Sequence, residues 1–373
     1  MMKYIWLIWG SIWMFTSRCS NDIPAEIVPD PPEFFLGADL SYVNEMEDCG
    51  AVYKDSNARA ADPYQIFADA GANMARFRLW HDPQWTNYST LEDVKRGLRR
   101  AKNQQFKTLL AFHYSDTWAD PHKQQIPRAW TDHLDDLTAL SQALYNYTFE
   151  SLREFHQEGI LPDIVQIGNE INSMILQEGE DSQTPMNWER NAMLLQAGIR
   201  AVRDFSTQNN STVAIMLHIA QPENALWWFE DATTAGIVDY DWIGLSYYPS
   251  WSRYNLDQVG DVFEVLIQRY QKKLMVVETA YPYSLTNQDQ ANNILGEDAL
   301  LEGFPPTQAG QLAYLQTLKS KVLEAGAYGL LYWEPAWVST QCQTLWGTGS
   351  HWDNATLFDH TGNPNLGMQF FNP

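Results

Sequence analysis

Ile164-Val165-Gln166-Ile167-Gly168-Asn169-Glu170 joins a short apolar run to an amide and a carboxylate. The run has the length and β-branched content of a parallel strand buried on both faces, and it breaks at a glycine just before the polar pair. The same junction recurs along the chain. Leu36-Gly37-Ala38 leads into Asp39, Phe77 into Arg78, Leu110-Ala111-Phe112 into His113, and Met216-Leu217 into His218. Leu245-Ser246 leads into Tyr247 and Tyr248, Val276-Val277 into Glu278, and Leu331-Tyr332 into Trp333. Reactive side chains at one end of every apolar run are what a barrel with its chemistry on one rim requires.

Working outward, the strands are predicted over Phe35–Asp39, Met74–Leu79, Lys107–Phe112, Ile164–Ile167, Thr212–Leu217, Trp242–Ser246, Leu274–Val277 and Gly329–Tyr332. Apolar positions at helical spacing predict helices over Leu91–Asn103, Leu134–Gln157, Asn187–Phe205, Val262–Gln271 and Gln308–Ala325. This alternation predicts an α/β chain with a single (β/α)8 TIM barrel over residues 34–373 rather than an open sheet.

Ahead of the barrel, Lys3 and the apolar run Tyr4–Phe15, too short to span a bilayer, predict an export signal over residues 1–18. Cys19 with the following Ser20-Asn21-Asp22 resembles a bacterial lipoprotein signal, although Arg18 stands where such signals prefer a small residue. A lipid anchor through Cys19 would place the protein on the cell surface or the periplasmic side. Residues 19–33, with Pro24, Pro29, Pro31 and Pro32, read as an extended linker. Cys49 and Cys342 either pair in an oxidising compartment or lie buried as small hydrophobes. No CxxC or HExxH spacing occurs, which argues against zinc.

With 24 Lys and Arg against 46 Asp and Glu, the formal charge is -22. Phosphate backbones and anionic membranes need the opposite sign, so a neutral polymer is the easier partner. The 16 Trp and 18 Tyr divide between core packing and flat platforms suited to the C–H faces of sugars.

A lone glutamate at a strand end is most often a scaffold ion pair. Asn169 beside Glu170, and Glu278 on a strand that faces it across an eight-stranded mouth, point to catalysis instead. Carboxyl groups about 5–5.5 Å apart give retaining glycoside hydrolysis and about 6.5–9.5 Å inverting hydrolysis, a gap that sequence does not measure.

The order Asn-Glu after strand four and Glu after strand seven resembles a large clan of retaining (β/α)8 glycosidases. Gly37-Ala38-Asp39, the run 76–80 (Arg-Phe-Arg-Leu-Trp), the run 113–121 (His-Tyr-Ser-Asp-Thr-Trp-Ala-Asp-Pro), 165–171 and 242–249 resemble the endo-β-1,4-galactanases, glycoside hydrolase family fifty-three, with a match from about Phe35 to Pro373. The resemblance implies Glu170 as acid/base and Glu278 as nucleophile, with Arg78 holding Glu278 ionised and Tyr248 hydrogen-bonded to it. It implies Asn169 on the 2-hydroxyl, Asp39, His113 and His218 on the polar rim, Trp333 as floor, and Trp118 and Trp346 as stacking faces. Ala111 departs from the family, which usually has Asp there. The implied partners are galactan polysaccharide and galacto-oligosaccharides, with no nucleic acid, and the chain is expected to be a monomer. The catalytic pair alone is equally compatible with a mannanase or xylanase of the clan, whereas a non-catalytic surface glycan-binding protein would lack one carboxylate. The resemblance also implies a structural Ca2+ held by Asn287, Asp289, Asn293, Ser350 and Asp353, with Ala291 where another ligand would stand.

Overall fold

The computed structural model describes residues 33–179, 185–345 and 347–372, together with Met2. The export signal, Cys19, the linker (Glu33 apart) and Trp346 therefore lie outside the described residues. Contacts divide the chain into Met1–Glu33 and Phe34–Pro373, and the second unit is the barrel.

Strands β1 (Phe35–Asp39), β2 (Met74–Leu79), β3 (Lys107–Phe112), β4 (Ile164–Ile167), β5 (Ala214–Ala220), β6 (Trp242–Ser246), β7 (Lys273–Glu278) and β8 (Gly329–Tyr332) form a closed barrel in sequence order. All pairs are parallel, and β8 closes on β1 from Phe35↔Gly329 to Ala38↔Tyr332. One set of strand residues fills the barrel, including Phe35, Met74, Leu109, Met216, Trp242, Met275 and Leu331. The alternate set packs outward on the helices in a larger apolar cluster. Loss of any strand would expose both layers at once.

Helices α1 (Val43–Asp48) and α2 (Pro63–Asp69) follow β1, then α3 (Leu91–Asn103), α4 (Leu137–Gln157), α5 (Trp188–Gln208), α6 (Pro222–Thr234), α7 (Val259–Tyr270) and α8 (Gln308–Glu324) each follow one strand. Helix α4 starts later than its apolar pattern suggests because Asp136 caps it, accepting from the Ala139 N–H. Helix α6, absent from the sequence reading, starts at Pro222, whose fixed φ suits a first helical position. Strand β5 runs to Ala220 rather than ending at Leu217, so His218 lies inside the strand and not beyond it.

Two ties hold the rim. Cys49, at the C-terminal end of α1, forms a disulfide with Cys342 in the loop after β8, with Cα atoms 5.6 Å apart and a sequence separation of 293. The loops after β7 and β8 are joined by the residues expected to bind calcium, but through hydrogen bonds. Asn293 Nδ2 donates to Asn287 Oδ1 at 2.8 Å and to Asp353 Oδ1 at 2.7 Å. Asp353 Oδ2 accepts from the Ser339 hydroxyl and the Gln288 N–H. Asp289 accepts the N–H groups of Ala291 and Ser350, and the Ser350 hydroxyl donates to the Trp337 carbonyl at 2.6 Å. Calcium takes six to eight oxygen ligands. Here an amide nitrogen stands between two of the expected oxygens, Ala291 supplies none, and Ser350 is turned to a carbonyl. The set does not fit a calcium cage.

Two measurements follow. Replacing Cys49 and Cys342 by alanine should lower unfolding free energy by about 2–4 kcal/mol, read by calorimetry. An unchanged melting temperature would mean that the bridge does not form. Chelation with EDTA should leave the melting temperature where it is, because a bound ion would stabilise the fold by mass action. A drop restored by added calcium would show that the loops do hold one.

Candidate active site

At the C-terminal ends of the strands lies a cavity of about 540 Å³, within the range of small-ligand sites. Asp39, Arg76, Arg78, His113, Asn169, Glu170 and Glu278 form its polar wall, and Trp118, Trp333, Trp337 and Trp352 its flat faces.

Local backbone geometry delivers the Asn-Glu pair. Gly168 has φ of 82°, and a Cβ there would meet the Ile171 side chain at 2.4 Å, so only glycine fits the turn out of β4. Glu170 itself sits at φ of 45°, a strained setting for a side chain of its size and typical of functional sites. Gln124 pins the segment, its amide donating to the carbonyls of Asn169 at 2.8 Å and Glu170 at 3.2 Å.

The buried Arg76 guanidinium organises the floor. Nη1 donates to Glu278 Oε1 at 2.6 Å and Asp39 Oδ2 at 2.9 Å, and Nη2 to Asn169 Oδ1 at 2.8 Å and Gln166 Oε1 at 3.2 Å. This corrects the expectation for Arg78. Both arginines face into the barrel because they are two residues apart on β2, but Arg78 lies one layer nearer the rim. There it pairs with Glu334 at 2.9 Å. Its guanidinium carbon stands 4.9, 4.8 and 4.0 Å from the ring centres of Tyr42, Trp80 and Trp118. Neither Arg76 nor Glu334 is marked as a site residue by the sequence alone. Glu334 directly follows Trp333 at the end of β8, the same kind of junction that marked the other strands.

A carboxylate oxygen of Glu170, one of Glu278 and a ring nitrogen of His218 lie within 4.8 Å of one another. Burial, then the charge of Glu278, pushes the Glu170 carboxyl up to about 8, against a hydrogen bond from Ser246. Burial also pushes Glu278 up, and Arg76 opposes it. Of the two, only Glu278 touches a cation, so the shared proton resides on Glu170.

His113 lines the cavity with its Nδ1 accepting from the Ala119 N–H at 3.1 Å, which leaves Nε2 as a donor. Burial, then Arg78, holds the ring well below the usual histidine range, so it is neutral. His218 is fully buried and not on the cavity wall, which corrects its place on the polar rim. It is behind the site, bonded to Ser246 at 2.9 Å. Tyr248 borders the cavity, where burial and then Glu278 and Glu170 push its phenol up, but the expected hydrogen bond to Glu278 is absent among the described residues. Ala111 packs inside the barrel, among Leu109, Met216, Val277 and Leu331. Asn169 Nδ2 donates to the Ala119 carbonyl at 2.8 Å, leaving its second N–H for a ligand.

Residues 35–371 match the family described as Glycosyl hydrolase family 53. The chain is 55% identical over 336 residues to a Cellvibrio japonicus protein named "Arabinogalactan endo-beta-1,4-galactanase", covering 90% of this chain and 89% of that one. It is 31% identical to the "Endo-beta-1,4-galactanase" of Bacillus subtilis, covering 91% and 85%. Its fold matches the solved "Ignisphaera aggregans GH53 catalytic domain" with a TM-score of 0.83 at 32% identity, covering 92% and 97%. A xylanase from Caldicellulosiruptor owensensis, at 12% identity and a TM-score of 0.57, shares the fold alone. With the match running from the first residue of β1 almost to the end of the chain, the protein belongs to glycosyl hydrolase family 53.

Proposed function

We propose that this chain is an endo-acting, retaining β-1,4-galactanase that cleaves galactan and type I arabinogalactan, with Glu170 as general acid/base and Glu278 as nucleophile. The observation that carries the roles is the asymmetry of the pair. Glu278 is held by Arg76 at 2.6 Å, whereas Glu170 is raised to about 8 beside it. Their approach within 4.8 Å favours retention, which needs about 5–5.5 Å, over inversion.

In the first step a Glu278 oxygen bonds to the anomeric carbon. The glycosidic C–O bond breaks, and the Glu170 proton passes to the departing oxygen. In the second step the Glu170 carboxylate takes a proton from water. The water oxygen bonds to the anomeric carbon, and the bond to Glu278 breaks, returning a carboxylate. Asn169 donates its free N–H to the 2-hydroxyl, and Asp39 and the His113 Nε2 bind further hydroxyls. Trp118 and Trp333 supply faces for the sugar rings, with Trp346 a candidate for another. The named relatives support galactan, and the disulfide suits an oxidising compartment, in keeping with the export signal over residues 1–18 and an anchor at Cys19.

Purified protein offered galactan, mannan, xylan and cellulose should release oligosaccharides quickly from galactan alone, because an epimer leaves buried polar groups unpaired. Proton NMR of the first product should show the β anomer. Comparable rates on mannan or xylan would reassign the substrate, and an α product would exclude retention. Glu278→Ala should abolish turnover and Glu170→Gln should reduce it about 10²–10⁴-fold. Glu170 must be protonated in the free enzyme, so kcat/KM should fall as pH rises through about 8, and this limb should vanish in Glu170→Gln. Wild-type rates in either variant would refute the roles.

A further inference from the structure

Strand β6 ends in a register shift. Leu245 pairs with Val276, yet Ser246 pairs with Glu278, so Val277 is skipped. Bulges of this kind re-aim side chains next to active sites. Here the shift sets Ser246 beside Glu278 while its Oγ stands 2.6 Å from Glu170 Oε1. The hydroxyl stabilises the ionised form of each carboxyl.

The direction of its proton is fixed from behind. His218 Nδ1 meets the Gln166 amide at 3.1 Å and the Glu170 N–H at 3.3 Å, both donors. Asn169 Oδ1, also 3.1 Å from Nδ1, is already engaged by Arg76 and Gln166. Nδ1 therefore accepts, the ring proton is on Nε2, and Nε2–H donates to Ser246 Oγ at 2.9 Å. One hydroxyl proton remains, with two carboxyl groups in reach.

We propose that Ser246 is a positioning residue whose single hydroxyl proton serves Glu170 and Glu278 in turn, swinging to whichever carboxylate bears the charge at each stage. The inference rests on the acid/base and nucleophile roles given above. A hydrogen bond to an ionised acceptor is about twice as strong as one to a neutral acceptor, so the rotor follows the charge. While Glu170 is the acid, the hydroxyl turns to Glu278. Once Glu278 is esterified and Glu170 is the anion, it turns to Glu170. The other charged or titratable groups facing the pair are Asp39 on β1, Arg76 on β2, Asp120 after β3, His218 on β5 and Tyr248 after β6. Arg76 bonds Glu278 and not Glu170, so it cannot act in both steps.

The test is the pH dependence of kcat/KM on galactan for wild type, Ser246→Ala and Ser246→Thr, with thermal unfolding as a check on folding. Ser246→Ala should lose about tenfold to hundredfold in kcat with KM little changed, as expected for a lost hydrogen bond to a charged group. Both limbs of its profile should move to higher pH together, since the donor that favoured each anion is gone. Ser246→Thr, which keeps a hydroxyl, should return both limbs. A Ser246→Ala profile superimposed on the wild type, or one displaced on a single limb, would overturn the proposal. Limbs that stay displaced in Ser246→Thr would overturn it as well, by tracing the shift to altered packing. A wild type inactive on galactan, or a fully active Glu170→Gln, would instead remove the reading beneath it.

Discussion

A guanidinium buried at the floor of the barrel mouth has to be surrounded by acceptors. An unmatched charge in such a place costs several kcal/mol, and removing one partner of a buried pair typically costs about 3–5 kcal/mol. The two terminal nitrogens of Arg76 meet this requirement with oxygens from β1, β4 and the segment after it, and β7, through Asp39, Gln166, Asn169 and Glu278, while its buried Nε has no partner among the described residues. The chemistry is a by-product of that neutralisation. As one of the required counter-charges, Glu278 has its ionised form favoured by Arg76 against the burial that pushes its carboxyl up. Its charge then adds to burial in keeping a proton on Glu170. Asn169 is oriented by the same cation, and Glu170 is its neighbour in the chain.

The layer above repeats the arrangement with different consequences. Arg78 is matched by Glu334, itself fixed by the Tyr42 N–H and held at φ of 48°. Here the guanidinium is enclosed by Tyr42, Trp80 and Trp118 rather than by Glu278 and Asp39. It braces Trp118, whose ring lies 5.9 Å from that of Trp333 across the cavity wall. One arginine sets charge and the other sets the aromatic wall.

Position along the sequence was legible where it is written in periodicity, and depth was not. The strand cores alternate with helices, and the junctions at Asp39, His113, Asn169-Glu170, Glu278 and Trp333 all fall on the rim. Two inward-facing arginines on β2 look alike in sequence, because period two assigns a face and leaves the layer open. Which one reaches Glu278 depends on how the strands are staggered around the barrel. His218 reads as a residue beyond its strand because β5 is longer than its apolar run. The hydrogen-bonded Asn293 was hidden for another reason: an amide offers oxygen to a cation and nitrogen to a carboxylate, and only its surroundings choose. The register shift at Ser246 leaves no mark in composition at all.

The bridge between Cys49 and Cys342 joins an element following the first strand to one following the last, across the seam where β8 meets β1. In covalent terms residues 49–342 are thereby closed into a ring. A single backbone cut anywhere between those cysteines opens the ring without yielding two molecules, so every helix and strand from α2 to β8 stays tethered to the rest. Damage to one rim loop within the ring is then a local event: the severed ends remain at high effective concentration, and the fold persists around the break.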